Sequence, residues 1–351
     1  MIVLGIESSC DETAAALVRN GNELISNVVA TSMDLHAAFG GVVPEIAARS
    51  HVESIIPVID EAVRPVGWDK IDAIAVTYGA GLGGSLLVGV MSARTLAVTK
   101  NKPLYAINHV EGHVYANFLT KTQLPNYTLP VSQPEFPVLA LIVSGGHSQL
   151  VLFRDHFDYT LLGQTRDDAI GEAFDKVAKI TGLPYPGGPS IAEAAEFGDA
   201  FKYKLPKSKL DKPYEFSFSG LKTAVLRLAQ EEIGEDFTFP SHKVSERLSE
   251  TQKYDIAASF QRVAVETVVD KAVKAFREYN PNSIVIAGGV AANQELRRQL
   301  SDRIPIDVQY TDIKLCTDNG AMIATLGCYK AMLGQPTADP YSLQIQPNLS
   351  M

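Results

Sequence analysis

At 351 residues the chain exceeds what one ordinary hydrophobic core holds and is long enough for two domains. Its 46% hydrophobic and 20% charged residues exclude a disordered or fibrous protein. The formal charge of −9 excludes nonspecific nucleic-acid binding over the whole surface, though not a local basic face.

In chain order, strand-like runs are expected at 2–6, 14–18, 73–77, 104–107, 138–143, 149–153, 283–287 and 307–310. Long helical patterns are expected at 83–100, 168–181, 256–279 and 319–333. Strands mixed with long helices indicate an α/β architecture. The run from Ile2 to Val18 is strand, small polar turn, strand, and the run from Leu139 to Phe153 repeats that plan, which suggests a duplicated domain. Segment 121–137, with Pro125, Pro130, Pro134 and Pro137, reads as a linker or surface excursion, and 234–252 as a loop or inserted helix. No apolar run approaches the roughly 20 residues of a membrane span. The start of the chain carries no secretion or import signal, and Cys10, Cys316 and Cys328 are few and scattered; a cytoplasmic location is expected.

The chemistry begins at Asn108-His-Val-Glu-Gly-His113. On a helix, His109 and His113 share one face a turn apart, which suits two ligands of one metal ion; two packing histidines are the plainer alternative. A zinc peptidase of the H-E-x-x-H kind needs glutamate directly after the first histidine, where this chain has Val110. Asp318, just before the last helix, is either an N-cap or the carboxylate completing a two-histidine, one-carboxylate set.

Three glycine-bearing turns, Ser144-Gly-Gly-His147, Tyr185-Pro-Gly-Gly-Pro189 and Ala287-Gly-Gly-Val-Ala-Ala-Asn293, let backbone N–H groups approach an anion and together point to a bound nucleotide. Asp175 is either a ribose acceptor or a solvated helix carboxylate, and Asn293 either caps its helix or binds a ligand hydroxyl. Asp11 and Glu12, in the first hairpin turn, are either solvated acids or candidates to orient an attacking group or accept its proton. Lys202, Lys204, Lys207, Lys209 and Lys212, interleaved with Tyr203, Tyr214 and Phe216, form the one basic cluster to consider for phosphate contacts, against a plain solvated loop.

Nine long motifs carry a resemblance over nearly the whole chain. They are Gly5-Ile-Glu-Ser-Ser-Cys-Asp-Glu-Thr13, Gly40-Gly-Val-Val-Pro-Glu-Ile-Ala-Ala-Arg-Ser-His51, Asn108 to His113, Val143 to His147, Asp167 to Ala178, Tyr185 to Pro189, Phe216 to Lys222, Gly288 to Asn293 and Cys316 to Ala324. In these the chain resembles the tRNA N6-adenosine threonylcarbamoyltransferases, on their bacterial TsaD side. The resemblance implies the duplicated two-domain fold of the actin, Hsp70 and sugar-kinase (ASKHA) superfamily, with a nucleotide cleft between lobes. One lobe is expected over 1–130 plus 316–351, with the metal histidines and the partner-binding surface, and the other over 131–315, with the glycine turns. It also implies one divalent metal on His109, His113 and Asp318, iron(II) in family descriptions with zinc(II) as the alternative. Substrate binding is implied at Ile142, Val143, Ser144, Gly145, Gly146, Asp175, Gly188 and Asn293. Many relatives carry an acid four positions after the glycine matching Gly188; this chain has Ala192, which removes one ribose contact. The implied reaction moves a threonylcarbamoyl group from threonylcarbamoyl-adenylate to N6 of adenosine 37 in tRNAs reading codons that begin with A, releasing AMP. The implied partners are tRNA, a TsaB-like paralogue and a TsaE-like ATPase, with no membrane. The rivals are a sugar kinase of the same superfamily, a metalloprotease and an inactive assembly partner.

Overall fold

A computed structural model describes residues 1–37 and 39–351. The chain divides into two units, Met1–Pro134 with Gln309–Met351, and Glu135–Val308.

The first unit holds strands β1 (Ile2–Glu7), β2 (Glu12–Arg19), β3 (Glu23–Thr31), β4 (Ala73–Gly79), β5 (Leu104–Asn108) and β6 (Lys121–Thr122), in the sheet order β5-β4-β1-β2-β3-β6. β1 pairs antiparallel with β2, Ile2 opposite Arg19, and parallel with β4. Its helices are α1 (Met33–Ala37), α2 (Pro44–Val63), α3 (Gly83–Lys100) and α4 (His109–Tyr115). The second unit holds β7 (Val138–Val143), β8 (Ser148–Asp155), β9 (Asp158–Gln164), β10 (Ser283–Ala287) and the short β11 (Val308–Gln309), in the order β11-β10-β7-β8-β9. Its helices are α5 (Ile170–Thr181), α6 (Gly187–Ala195), α7 (Ser219–Glu232), α8 (Glu250–Tyr279) and α9 (Gln294–Arg303). Two further helices, α10 (Ile313–Cys316) and α11 (Gly320–Met332), return to the first unit.

The two sheets repeat one plan. A buried strand (β1 or β7) pairs antiparallel with the next strand of its hairpin and parallel with a later one (β4 or β10). This is the ASKHA arrangement, and it accounts for the echo between the two hairpin sequences.

Strand periodicity decides where function can sit. Side chains alternate across a sheet. On β1, Ile2, Leu4 and Ile6 join Ile55, Ile59, Val90 and Ala93 of α2 and α3 in one core. Val3, Gly5 and Glu7 therefore face α11. A Cβ at Gly5 would stand 2.3 Å from both Gly320 O and Ala324 N, and one at Gly320 would stand 2.5 Å from Ala15 C. Only glycines let α11 lie this close to the sheet, and that approach fixes Asp318 at its N-terminal end.

Several elements differ from the sequence pattern for local reasons. β3 and β9 are half-exposed and mix polar with apolar residues, so they carry no clean alternation. Within 234–252 lie a turn and a short 3-10 helix, Ser241–Lys243, and α8 starts before 256 because Ser249 and Gln252 form a capping box. Gly187 and Gly188 open α6 rather than a free turn.

Candidate metal centre and glycine cradle

Asn108 ends β5 and caps α4, its side-chain oxygen accepting from the N–H of Val110 at 2.9 Å and of Glu111 at 3.4 Å. The seven-residue helix that follows is buried throughout. At the start of α11 the N-cap is Asn319, which accepts from Met322 N at 3.0 Å. Asp318 is thus not the capping residue, and its carboxylate reaches the histidines. Asp318 Oδ1 lies 3.5 Å from His109 Nε2 and 3.3 Å from His113 Nε2. The two rings meet edge to face with centroids 4.7 Å apart, and one ligand atom from each of the three residues lies within 4.8 Å of the others.

Two observations fit a divalent cation here. Neither ring nitrogen of the buried His113 makes a hydrogen bond, a costly state for polar atoms that a metal bond at Nε2 would relieve for that atom. Carboxylates also crowd the site. Burial, with the charges of Asp318, Asp11 and Glu7, pushes Glu12 up to about 10. Burial disfavours a charged His109, yet Asp318 and Glu7 hold its imidazole up at about 9. Burial would likewise raise Glu7, but the adjacent His109 holds it below its ordinary value. Two imidazole nitrogens and a carboxylate oxygen are a donor set for a transition cation.

Two functional candidates escape the sequence reading. Glu7 lies at zero exposure behind His109, its Oε2 3.1 Å from His109 Nδ1. His51, at the end of the glycine-led motif starting at Gly40, sets its Nδ1 2.7 Å from Thr13 Oγ1 and its Nε2 3.0 Å from the Cys10 carbonyl. It braces the turn that carries Asp11, and burial holds it below its ordinary pKa.

In the second unit the glycines separate into two kinds. Gly171 and Gly187 serve packing: a Cβ would stand 2.6 Å from Ser144 O or 2.5 Å from Asp175 Cα. At Gly145, Gly146 and Gly188 a Cβ would meet nothing within 4 Å. Packing does not require glycine at those three positions. Gly171 N–H donates to Ser144 O at 3.2 Å, and Gly187 N–H donates to Asp175 Oδ1 at 2.7 Å, tying the first turn to α5 and α5 to α6. Ile142 and Val143 are the buried end of β7. Asn293 caps α9 by accepting from Leu296 N at 3.0 Å and also donates to Gln261 Oε1 at 2.8 Å. Gln261 lines a cavity of about 270 Å³ with Ala200, Phe201, Arg262, Arg298 and Gln299.

The basic cluster loses its aromatic component. Tyr203, Tyr214 and Phe216 are buried core residues. Lys207 is paired at 2.8 Å with both Glu266 and Asp270, and Lys212 with Glu215 at 3.2 Å. Among the described residues, no helix is long and apolar enough to cross a membrane.

Among solved structures, full-length HypF in its phosphate- and nucleotide-bound form matches with a TM-score of 0.55 at 13% identity, over 95% of this chain and 46% of that one, a likeness of fold. The tRNA N6-adenosine threonylcarbamoyltransferase of Thermomicrobium roseum is 50% identical over 343 residues, 95% of this chain and 93% of that protein. Its counterpart in Caldicellulosiruptor saccharolyticus is 47% identical over 100% of this chain and 98% of its own. The family model TsaD, tRNA N6-adenosine threonylcarbamoyltransferase, matches residues 23–325. The chain belongs to the TsaD family.

Proposed function

We propose that the protein transfers the threonylcarbamoyl group of threonylcarbamoyl-adenylate to N6 of adenosine 37 in tRNAs reading codons that begin with A. A bond forms between N6 and the carbamoyl carbon, the bond from that carbon to the phosphate oxygen breaks, AMP leaves with the electron pair, and N6 loses a proton. The observation that carries this reading is the convergence of His109, His113 and Asp318 in a chain of this family.

The chain's own residues divide the work between the two lobes expected from sequence, residues 1–130 with 316–351 holding the metal and residues 131–315 the adenylate. His109, His113 and Asp318 hold one cation, iron(II) with zinc(II) as the alternative, and when bound it supplies Lewis-acid polarisation of a phosphate or carbonyl oxygen. The N–H groups of Gly145 and Gly146 hold the phosphate at the end of Ile142-Val143, in the turn that Ser144 closes by donating its own N–H to His147 O. Asp175 and Gly188 face the ribose, with Ala192 offering no carboxylate there. Asn293 orients the nucleoside, and the cavity beside Gln261, with its exposed Phe201 and the Arg262 guanidinium 4.8 Å from that ring, takes the base. Asp11 or Glu12 orients the exocyclic amine or accepts its proton.

A TsaB-like paralogue covers the outer face of α2 and α3, and a TsaE-like ATPase and the tRNA complete the assembly in the cytoplasm. In support, Val52 and Ile56 on α2 and Leu87 and Met91 on α3 are exposed large apolar residues at i, i+4 spacing. A Cβ at Gly84 would lie 3.1 Å from Ala48 Cβ, so the two rows run side by side as one apolar strip. The experiment is incubation with threonylcarbamoyl-adenylate and unmodified tRNA, with and without both partners, followed by nucleoside analysis. The modified adenosine is expected; its absence with every partner present contradicts the reading.

A further inference from the structure

Among the carboxylates around the histidine pair, one is neither a metal ligand nor part of the acidic turn. Glu7 ends β1 on the face turned to α11 and has no exposed surface. Its Oε1 accepts from Ser9 N–H at 2.5 Å, and its Oε2 accepts from Thr77 Oγ1 at 2.5 Å and lies 3.1 Å from His109 Nδ1. Ser9 Oγ is also 3.1 Å from that nitrogen. A carboxylate held by two donors cannot swing away, so His109 meets a fixed acceptor.

We infer that Glu7 is a positioning residue for the metal centre, setting the tautomer and ring orientation of His109. A carboxylate only accepts, so a hydrogen of His109 sits on Nδ1, which leaves Nε2, 3.5 Å from Asp318 Oδ1, as the nitrogen that would face a cation. His113 has no such backing, since its Nδ1 finds no partner. The centre is therefore asymmetric, with His109 the preorganised ligand and His113 the compliant one. Carboxylates behind metal-binding histidines raise ligand basicity and cut the entropy lost on binding.

The test is Glu7→Gln, which keeps the shape but puts an NH2 where an acceptor is needed. Metal-free protein is titrated with cobalt(II), read by visible absorption and against a competing chelator. The dissociation constant should weaken by about 10- to 100-fold, the usual cost of removing such a partner. The melting temperature of the metal-free variant should stay near that of wild type, and activity should recover as metal is raised. Unchanged affinity in E7Q overturns the inference. So does a loss as large in Ser9→Ala, which removes only the hydroxyl beside Nδ1. Should E7Q not fold, Thr77→Val loosens the same carboxylate without removing it. A smaller loss in the same direction is expected there, and wild-type affinity counts against the inference. The inference rests on reading His109, His113 and Asp318 as one centre. Wild-type protein that binds no cobalt sinks that reading, whereas wild-type binding matched by E7Q sinks only the role of Glu7.

Discussion

The two units are built on the same strand order, yet their hairpin turns carry opposite chemistry. After β1 the turn is Ser8-Ser9-Cys10-Asp11, with Glu7 before it and Glu12 after it, and it stands beside two histidines. After β7 the turn is Ser144-Gly-Gly-His147, with open space at both glycines. One frame thus concentrates carboxylates that suit a cation, and the other concentrates backbone N–H groups that suit an anion. After duplication the fold kept its strands and diverged at their ends, as expected where side chains at strand ends carry function while the strands carry the core.

The largest effect should come from breaking the first turn's counterpart. His113→Ala or Asp318→Ala should lower single-turnover transfer by more than about 100-fold, beyond the range for partners outside the metal's own ligands. Retained transfer in metal-stripped Asp318→Ala would remove the metal from the comparison. On the second unit, Gly146→Ala or Gly188→Ala should leave the fold intact, because the added Cβ meets no atom. Each should weaken binding of a nonreactive adenylate analogue about tenfold or more, roughly 1.4 kcal/mol. Tight binding in both variants would mean that the open space is not the ligand's. A smaller effect concerns the strip on α2 and α3. The double variant Ile56→Asp, Met91→Asp should weaken association with the TsaB-like partner by sedimentation analysis without altering cobalt affinity. Unchanged association would move the partner elsewhere.

The smallest expected effect contrasts salt-bridge chemistry with the site. Asp168 accepts from Lys176 and Lys222, each at 2.7 Å. Burial raises its carboxyl, but the two lysines outweigh that and hold it below its ordinary value. Its contribution is complete above the ordinary aspartate pKa of about 3.8 and is lost as pH falls through the lower folded value. Asp168→Asn should flatten the acid limb of the stability profile by less than about 1 kcal/mol, because the lysines are partly solvated. Thermal melts between pH 5 and 3 would measure it, and identical limbs would contradict it.

How legible this was in sequence depended on how local each signal is. The histidine pair, the glycine turns and the hairpin echo are written in contiguous residues. Asp318 was legible only as an ambiguity, because capping and metal binding use the same residue type at the same place. Asn319 takes the cap, which removes that role from Asp318 and leaves its carboxylate beside the histidines. Glu7 was hidden in a plain strand, since its meaning depends on which sheet face α11 covers. The lysine cluster was left between phosphate contacts and a plain solvated loop, and the sequence did not show that Tyr203, Tyr214 and Phe216 are buried. Burial is a property of the fold, and alternating charge with aromatics does not encode it.

The claim everything else leans on is that three side chains share one cation. Diffraction from iron-loaded crystals on either side of the iron absorption edge tests it directly. One anomalous peak should lie within bonding reach of His109 Nε2, His113 Nε2 and an Asp318 oxygen. A peak elsewhere, or none in crystals of enzyme that transfers at full rate, would contradict it.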